Sequence, residues 1–528
     1  MRRSHRLATL AVAGTATLVT ITGVAGAAVP SETAALRGAV SAENILKHEQ
    51  ALQAISDANG GTRASGTAGY DASADYVEGL LEGAGYQVTR QPFNYELFIE
   101  TGDPVVDLTS PDQPAYTPGE DFFTMEYSGS GDVTAAVTAV DITIPPSATP
   151  GSTSGCEATD FAGFPAGNIA LIQRGTCTFR AKVDNAAAAG AVGVIIFNEG
   201  QAGRTGPING TLGQPQAGIP AVGSSFAVGE QIHSLLQSGS VTTRLAVSAE
   251  VQIKQTENVI ADSPSGRTDR TVVVGAHLDS VLEGPGINDN GSGSSTILEI
   301  ALQLAALDVD PVNAVRFTFW GAEESGLIGS QHYVDSLSKT QQKDIALYLN
   351  FDMVASPNYV RFVYDGDGSA FGLKGPTGSA RIEHVFTDYF GSQGLASAPT
   401  EFSGRSDYQG FINVGIPAGG LFTGAEGVKT PAQAAVYGGV AGASYDPCYH
   451  QACDSMTPVA DGADADLYAA LDAAYDIAGN INMQAQEEMA DAAAHATLTF
   501  ALTTSAVGGT ARAASTSNSL YLGSHLRR

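Results

Sequence analysis

The chain has 528 residues, more than one hydrophobic core usually serves, so two folded units or one unit carrying a large insertion are expected. Its 55 acidic against 26 basic side chains leave a formal net charge of -29, which repels phosphate backbones and anionic lipid and argues against a nucleic-acid or membrane-surface partner. The same acidity suits a solvated protein outside the cell and one that binds cations.

The first residues read as an export address. Arg2, Arg3 and Arg6 precede an apolar stretch over residues 7–24, and Ala25, Gly26 and Ala27 then offer a small-residue cleavage site. A signal peptide over 1–27 and a secreted, extracellular mature chain are expected. Arg2 and Arg3 open like a twin-arginine signal, but the residues after them fit that signal poorly. No later segment is long and apolar enough to cross a bilayer, and a monomer is expected. Cys156 and Cys177 fall in one region, Cys448 and Cys453 in another. Of three possible connectivities, two local disulfides, Cys156–Cys177 and Cys448–Cys453, are the simplest for an oxidising compartment.

A helix from residue 41, a Gly-rich turn over 59–66 and an amphipathic helix over 72–81 lead to a strand containing Tyr86 and Val88. Residues 105–255 change texture to short β-rich runs broken by Gly, Pro and Ser, with a helix over 179–189 between strands 169–172 and 194–197. This reads as an inserted β-rich α+β domain. From residue 259, buried strands alternate with helices, the strands being 271–274, 315–319 and 345–349. The pattern is that of an α/β fold with a mixed, largely parallel central sheet flanked by helices, spread over 40–104 and 256–500. A last helical region covers 465–499, and the Ser/Thr/Gly-rich tail over 505–528 is expected to be disordered or processed.

Ligands of open α/β sheets gather at the carboxyl ends of the strands, and each of the three strands delivers polar residues there. His277 and Asp279 stand in Gly275-Ala276-His277-Leu278-Asp279-Ser280, Glu323 and Glu324 in Gly321-Ala322-Glu323-Glu324-Ser325-Gly326, and Asp352 in Asn350-Phe351-Asp352-Met353. One such residue is ordinarily a hydrogen-bonded structural group; three clusters at successive strand ends point to a site. Asp289 lies in Gly286-Ile287-Asn288-Asp289-Asn290-Gly291-Ser292-Gly293 before a helix. It has a plain reading as a helix cap, although Asn290 and Ser292 can fill that role. A phosphate loop is excluded by the missing lysine. His450 sits between Cys448 and Cys453, whose bridge would close a very short loop fixing Tyr449 and His450. His48, His233, His332, His384 and His495 lack an accompanying acidic cluster, and His5 and His525 lie near the termini. Two imidazoles and three carboxylates suit a pair of zinc ions, because one carboxylate can bridge and leave each metal one carboxylate and one imidazole. Glu323, beside a ligand, then remains to accept a proton.

These motifs, together with Trp320-Gly321, Leu327-Ile328-Gly329-Ser330 and Cys448-Tyr449-His450-Gln451-Ala452-Cys453-Asp454, closely resemble the zinc aminopeptidase family. That family includes secreted leucine-type aminopeptidases of Streptomyces, yeast aminopeptidase Y and, more distantly, glutamate carboxypeptidase and transferrin receptor. The resemblance spans roughly residues 40–500. It implies one zinc on His277 and Asp352, a second on Glu324 and His450, and Asp289 bridging both. It implies Glu323 as the general base, Tyr449 as the donor to the oxyanion, and Asp279 as the group orienting His277. The Asp289-Asn290 bond is a candidate for the cis form found in the family. Arg405 matches a substrate-contacting position, and Phe422 one lining the side-chain pocket, which implies large apolar amino-terminal residues such as Leu. Residues 156–198 resemble the protease-associated domain. The expected partners are peptide or protein N-termini.

Three rivals remain. A carboxypeptidase of the same family needs a basic cluster, and only Arg405 is evident. A glutaminyl cyclase type needs one metal and leaves this full set unexplained. A non-enzymatic receptor-type module keeps the fold without its ligands, all of which are present here. Calcium is suggested by the Asp461, Asp464, Asp466 run, but the spacing does not match an EF-hand and helix-start carboxylates are the simpler reading.

Overall fold

Residues 345–351 are buried at every position, the mark of a strand covered on both faces in the middle of a parallel sheet. The computed structural model describes residues 33–507 apart from 114, 149, 202–203 and 214. The export address and most of the expected tail lie outside the described residues. In chain order the strands are β1 (Gln87–Ser110), β2 (Phe122–Thr124), β3 (Gly131–Val140), β4 (Ile169–Gln173), β5 (Gly193–Phe197), β6 (Ala221–Ser224), β7 (Thr242–Asp262), β8 (Arg267–His277), β9 (Asn313–Trp320), β10 (Ile345–Phe351), β11 (Phe362–Tyr364), β12 (Ala398–Thr400) and β13 (Ala418–Phe422).

One half of the sheet runs β12-β11-β13-β10-β8-β9-β7. Within it β13, β10, β8 and β9 are mutually parallel, while β11 and β7 are antiparallel to their neighbours β13 and β9. Side chains alternate across this sheet as strand geometry requires. Val272 and Val274 join one core with Phe317, Leu347 and Leu349, covered by helices Ala42–Ala58, Ala68–Gly83, Gly293–Ala306, Ser379–Ser392 and Met483–Leu502. Val273 points to the opposite core, where Trp320, Tyr348, Tyr333 and Phe411 pack. The mixed, largely parallel sheet flanked by helices expected from the sequence is the observed architecture.

The inserted unit continues the sheet as β3-β4-β5-β6, parallel throughout, with β2 antiparallel at the far edge. Helices Phe179–Ala188 and Phe226–Ser238 flank it. The first is started by the Thr178 hydroxyl, which accepts the Ala181 N–H at 3.2 Å. The ribbon of β1 against β7 runs from Gln87↔Asp262 to Ser110↔Thr242. The divisions expected near 104 and 255 therefore fall inside two continuous strands that serve both units.

Two elements differ from the sequence expectation. The helix expected at 72–81 spans Ala68–Gly83, because Thr67 accepts the Tyr70 N–H and starts it earlier. The helical region expected over 465–499 is broken into Ala465–Ala474 and Met483–Leu502 by a short hairpin. Gly479 makes that turn at φ +67, where a Cβ would stand 2.6 Å from the Met456 Cα. Cys156 is joined to Cys177 and Cys448 to Cys453.

Candidate metal centre

The parallel register brings three ligand-type clusters to one edge. His277 ends β8 opposite Trp320, the last residue of β9, and Gly275 pairs with Asn350 near the end of β10. Glu323, Glu324 and Asp352 follow those ends immediately. Asp289 arrives on the turn Ile287–Ser292 that leads into the helix Gly293–Ala306, and the Asp289-Asn290 peptide is cis. Asn290 anchors this turn to the third strand end. Its amide donates to the Phe351 carbonyl at 2.9 Å, and its oxygen accepts the N–H groups of Gly293 and Met353 at 2.9 and 3.0 Å.

His277 Nε2 lies 3.3 Å from Asp289 Oδ1 and 3.3 Å from Asp352 Oδ1. His450 Nε2 lies 3.3 Å from Asp289 Oδ2 and 3.1 Å from Glu324 Oε2. The two oxygens of Asp289 thus face two different imidazoles. Donor atoms held at ~2.0–2.1 Å around one tetrahedral ion are separated by roughly 3.3–3.4 Å, close to the 3.1–3.3 Å between each imidazole and its two carboxylates. Both oxygens of Asp289 and of Glu324 are buried and accept no hydrogen bond, and buried carboxylates left so are costly unless a cation joins them. The donor set fits divalent metal. Glu323 stands next to it, with Oε2 3.9 Å from His277 Nε2 and its side chain fully buried.

The charge balance of the protein alone supports the same reading. Burial would push His450 down, yet Glu324 and Asp289 raise it to about 9. His277 is likewise lifted well above its ordinary value against its own burial, by Glu323 and Asp352 first. Asp289 is buried too, but contact with both imidazoles drives its carboxyl far below the usual range. Glu324 goes the other way, raised by burial first and by the Asp289 charge, which His450 and His277 only partly offset.

A supporting layer holds these groups, most of it not singled out by the sequence motifs. The Asp454 carboxylate accepts the N–H of Asn288 at 2.8 Å, the N–H of Asp289 at 2.9 Å and the Asn480 amide at 2.7 Å. It therefore ties the Asp289 turn to the loop bearing His450. Ser406 donates to Asp352 Oδ2 at 2.6 Å. Fully buried Arg63 donates to the carbonyls of Leu278, Pro285 and Gly286, and burial lowers its pKa to about 10. The Asp279 carboxylate accepts the N–H groups of Glu323 and Glu324 at 3.3 and 3.4 Å. His277 Nδ1 sits 3.1 Å from the Asp279 main-chain oxygen and 3.6 Å from its carboxylate, so the carbonyl orients the imidazole more closely than the side chain does. Tyr449 stacks on His450 with ring centres 4.0 Å apart. Its hydroxyl accepts from Arg405 Nη2 at 3.2 Å, and Arg405 Nη1 is paired with Glu426 at 2.8 Å.

Two other acidic groups have plainer roles. Asp464 caps the helix Ala465–Ala474 by accepting the N–H of Asp466 and of Leu467. Asp365, near Asp367 and Glu383, accepts the N–H groups of Ser369, Ala370 and Phe371 and so organises a turn.

The model of peptidase family M28 matches residues 258–475, and that of the PA domain matches residues 133–232. An aminopeptidase of Pseudomonas aeruginosa (strain UCBPP-PA14) is 48% identical over 471 residues, covering 89% of this chain and 82% of that protein. The chain belongs to peptidase family M28. Probable leucine aminopeptidase 2 of Aspergillus fumigatus is 43% identical over 398 residues, 75% of each chain. Among solved structures, the aminopeptidase from Aneurinibacillus sp. strain AM-1 matches with a TM-score of 0.67 and 26% identity, covering 88% of this chain and 95% of that one. As an M28 peptidase of the aminopeptidase type, this protein is a peptide hydrolase.

Two hollows flank the centre of the M28 unit. A small pocket is lined by Asp352, Met353, Tyr364, Arg405, Phe422 and Tyr449. On the other side a cleft of about 300 Å³ adjoins Glu324 and His450 and reaches the inserted PA domain.

Proposed function

We propose that this M28 peptidase is a secreted two-zinc aminopeptidase that prefers large apolar N-terminal residues such as Leu. His277 and Asp352 would hold one ion and Glu324 and His450 the other, with Asp289 shared between them. The observation that carries this reading is the placement of the two Asp289 oxygens, each 3.3 Å from a different imidazole. Bound there, the ions supply Lewis acidity toward the scissile carbonyl and make the attacking water more acidic. The fully buried Glu323 takes that water's proton and delivers it to the leaving amine, away from bulk solvent. The Tyr449 hydroxyl, which accepts from Arg405 and stacks beside His450, is the donor to the developing oxyanion. Phe422 and Met353 give the small pocket its apolar wall, which supports the preference for Leu. The PA domain and the M28 unit are two bodies on one ribbon, β1 and β7, with the division near 105 and 255. Stripping the protein with a chelator should abolish hydrolysis of leucine p-nitroanilide and zinc should restore it. Cleavage of N-acetylated peptides at rates equal to free ones would contradict the aminopeptidase reading.

A further inference from the structure

The larger cleft lies between the two units. Glu100 comes from β1, Phe123, Glu126 and Asn209 from the inserted domain, Glu283 from the loop after β8, and Glu324 closes the inner end. Among the described residues that line it there is neither Lys nor Arg. Glu324 and His450 both line the cleft, so its inner end adjoins the candidate metal centre. The pocket on the opposite side, walled by Met353, Tyr364 and Phe422, is the smaller of the two and suits one side chain. The rest of a peptide then has the larger cleft as its path.

We propose that this cleft receives the leaving side of the peptide and selects by charge, favouring a basic residue and disfavouring an acidic one immediately after the scissile bond. The inference rests on the aminopeptidase reading above and adds to it a substrate class: peptides with Lys or Arg in second position. Glu100 and Glu283 are both exposed, and lie outside the metal centre and its proton path. An exposed charge pair gives a small effect each, so two acting together amount to roughly a tenfold preference for Lys over Glu at low salt. Added salt reduces it, because the carboxylates are at the surface.

The test compares kcat/KM of the zinc-loaded protein for Leu-Lys-Ala, Leu-Gln-Ala and Leu-Glu-Ala amides, with leucine p-nitroanilide as a substrate lacking a second side chain. The wild type is expected to rank Lys above Gln above Glu. The double variant Glu100→Gln, Glu283→Gln is expected to compress the Lys-to-Glu ratio to within about twofold while leucine p-nitroanilide turnover stays unchanged. Equal rates for the three peptides overturn the inference while leaving the aminopeptidase reading intact, as does a ranking that survives unchanged in the double variant. Failure to hydrolyse leucine p-nitroanilide at all overturns the reading of the site, and the inference with it.

Discussion

Asp289 presents one oxygen to each imidazole because its turn is pinned from two sides, by Asn290 to the third strand end and by Asp454 to the His450 loop. Two residue-scale predictions follow from that arrangement. Replacing Glu323 by Gln should cut kcat by about 10²–10⁴-fold, the usual contribution of a positioned proton acceptor, with zinc content by elemental analysis unchanged; near-native turnover with metal bound would remove Glu323 from the mechanism. Replacing Asp454 by Ala leaves two backbone N–H groups buried without their acceptor. It should weaken zinc binding by about 10–100-fold, as expected for a group that orients ligands, read by competition with a chromophoric chelator. The five ligand-type residues were legible because parallel strands end in runs of His, Asp and Glu, and Gly-rich or Cys-flanked segments mark the other two positions. The supporting groups carried no such mark. Arg63 lies in a turn and Ser406 beside an ordinary loop arginine, and their roles arise from hydrogen bonds between segments 215 or more residues apart for Arg63 and 54 apart for Ser406.

At the scale of elements, the two disulfides do different work. Cys448–Cys453, with a sequence separation of 5, closes a short loop around His450, whose backbone sits at φ 56, a conformation that favours glycine and is held here by its surroundings. Opening it with Cys448→Ser and Cys453→Ser should release zinc from the protein at lower chelator concentrations than the wild type. Cys156–Cys177 spans 21 residues inside the inserted unit and joins no residue of the metal centre. Its removal should lower stability by about 3 kcal/mol, the loop-closure value for that length, with kcat for leucine p-nitroanilide unaffected. A parallel loss of kcat would show that the inserted unit shapes the centre directly. The three strands that end in ligand-type residues, and the helix Phe179–Ala188 between β4 and β5, followed from periodicity. The break at Gly479 did not, since an Ala-rich pattern continues on both sides and only the close approach of Met456 requires glycine there. The ribbon of β1 and β7 was also hidden, because composition changes along it while the pairing does not.

For the whole molecule, the metal-free centre has a pH signature of its own. His450 is raised from an unfolded value of about 6.5 to about 9 in the fold, and His277 is raised as well. A raised folded pKa stabilises fully below the unfolded value and loses that contribution as pH rises through the folded one. Asp289, lowered in the fold, contributes above its unfolded value and is lost only in acid. The stripped protein should therefore lose thermal stability between pH 6.5 and pH 9.5, by more than the zinc-loaded protein does over the same interval. Equal losses would mean that the imidazoles do not sense the carboxylates around them. Zinc uptake from the stripped state should correspondingly release protons and strengthen with pH. The most direct measurement is anomalous diffraction at the zinc edge from crystals of the loaded protein. A bridged centre predicts two peaks, one among His277, Asp289 and Asp352 and the other among Asp289, Glu324 and His450; a single peak, or density elsewhere such as beside Asp365 and Asp367, would contradict it.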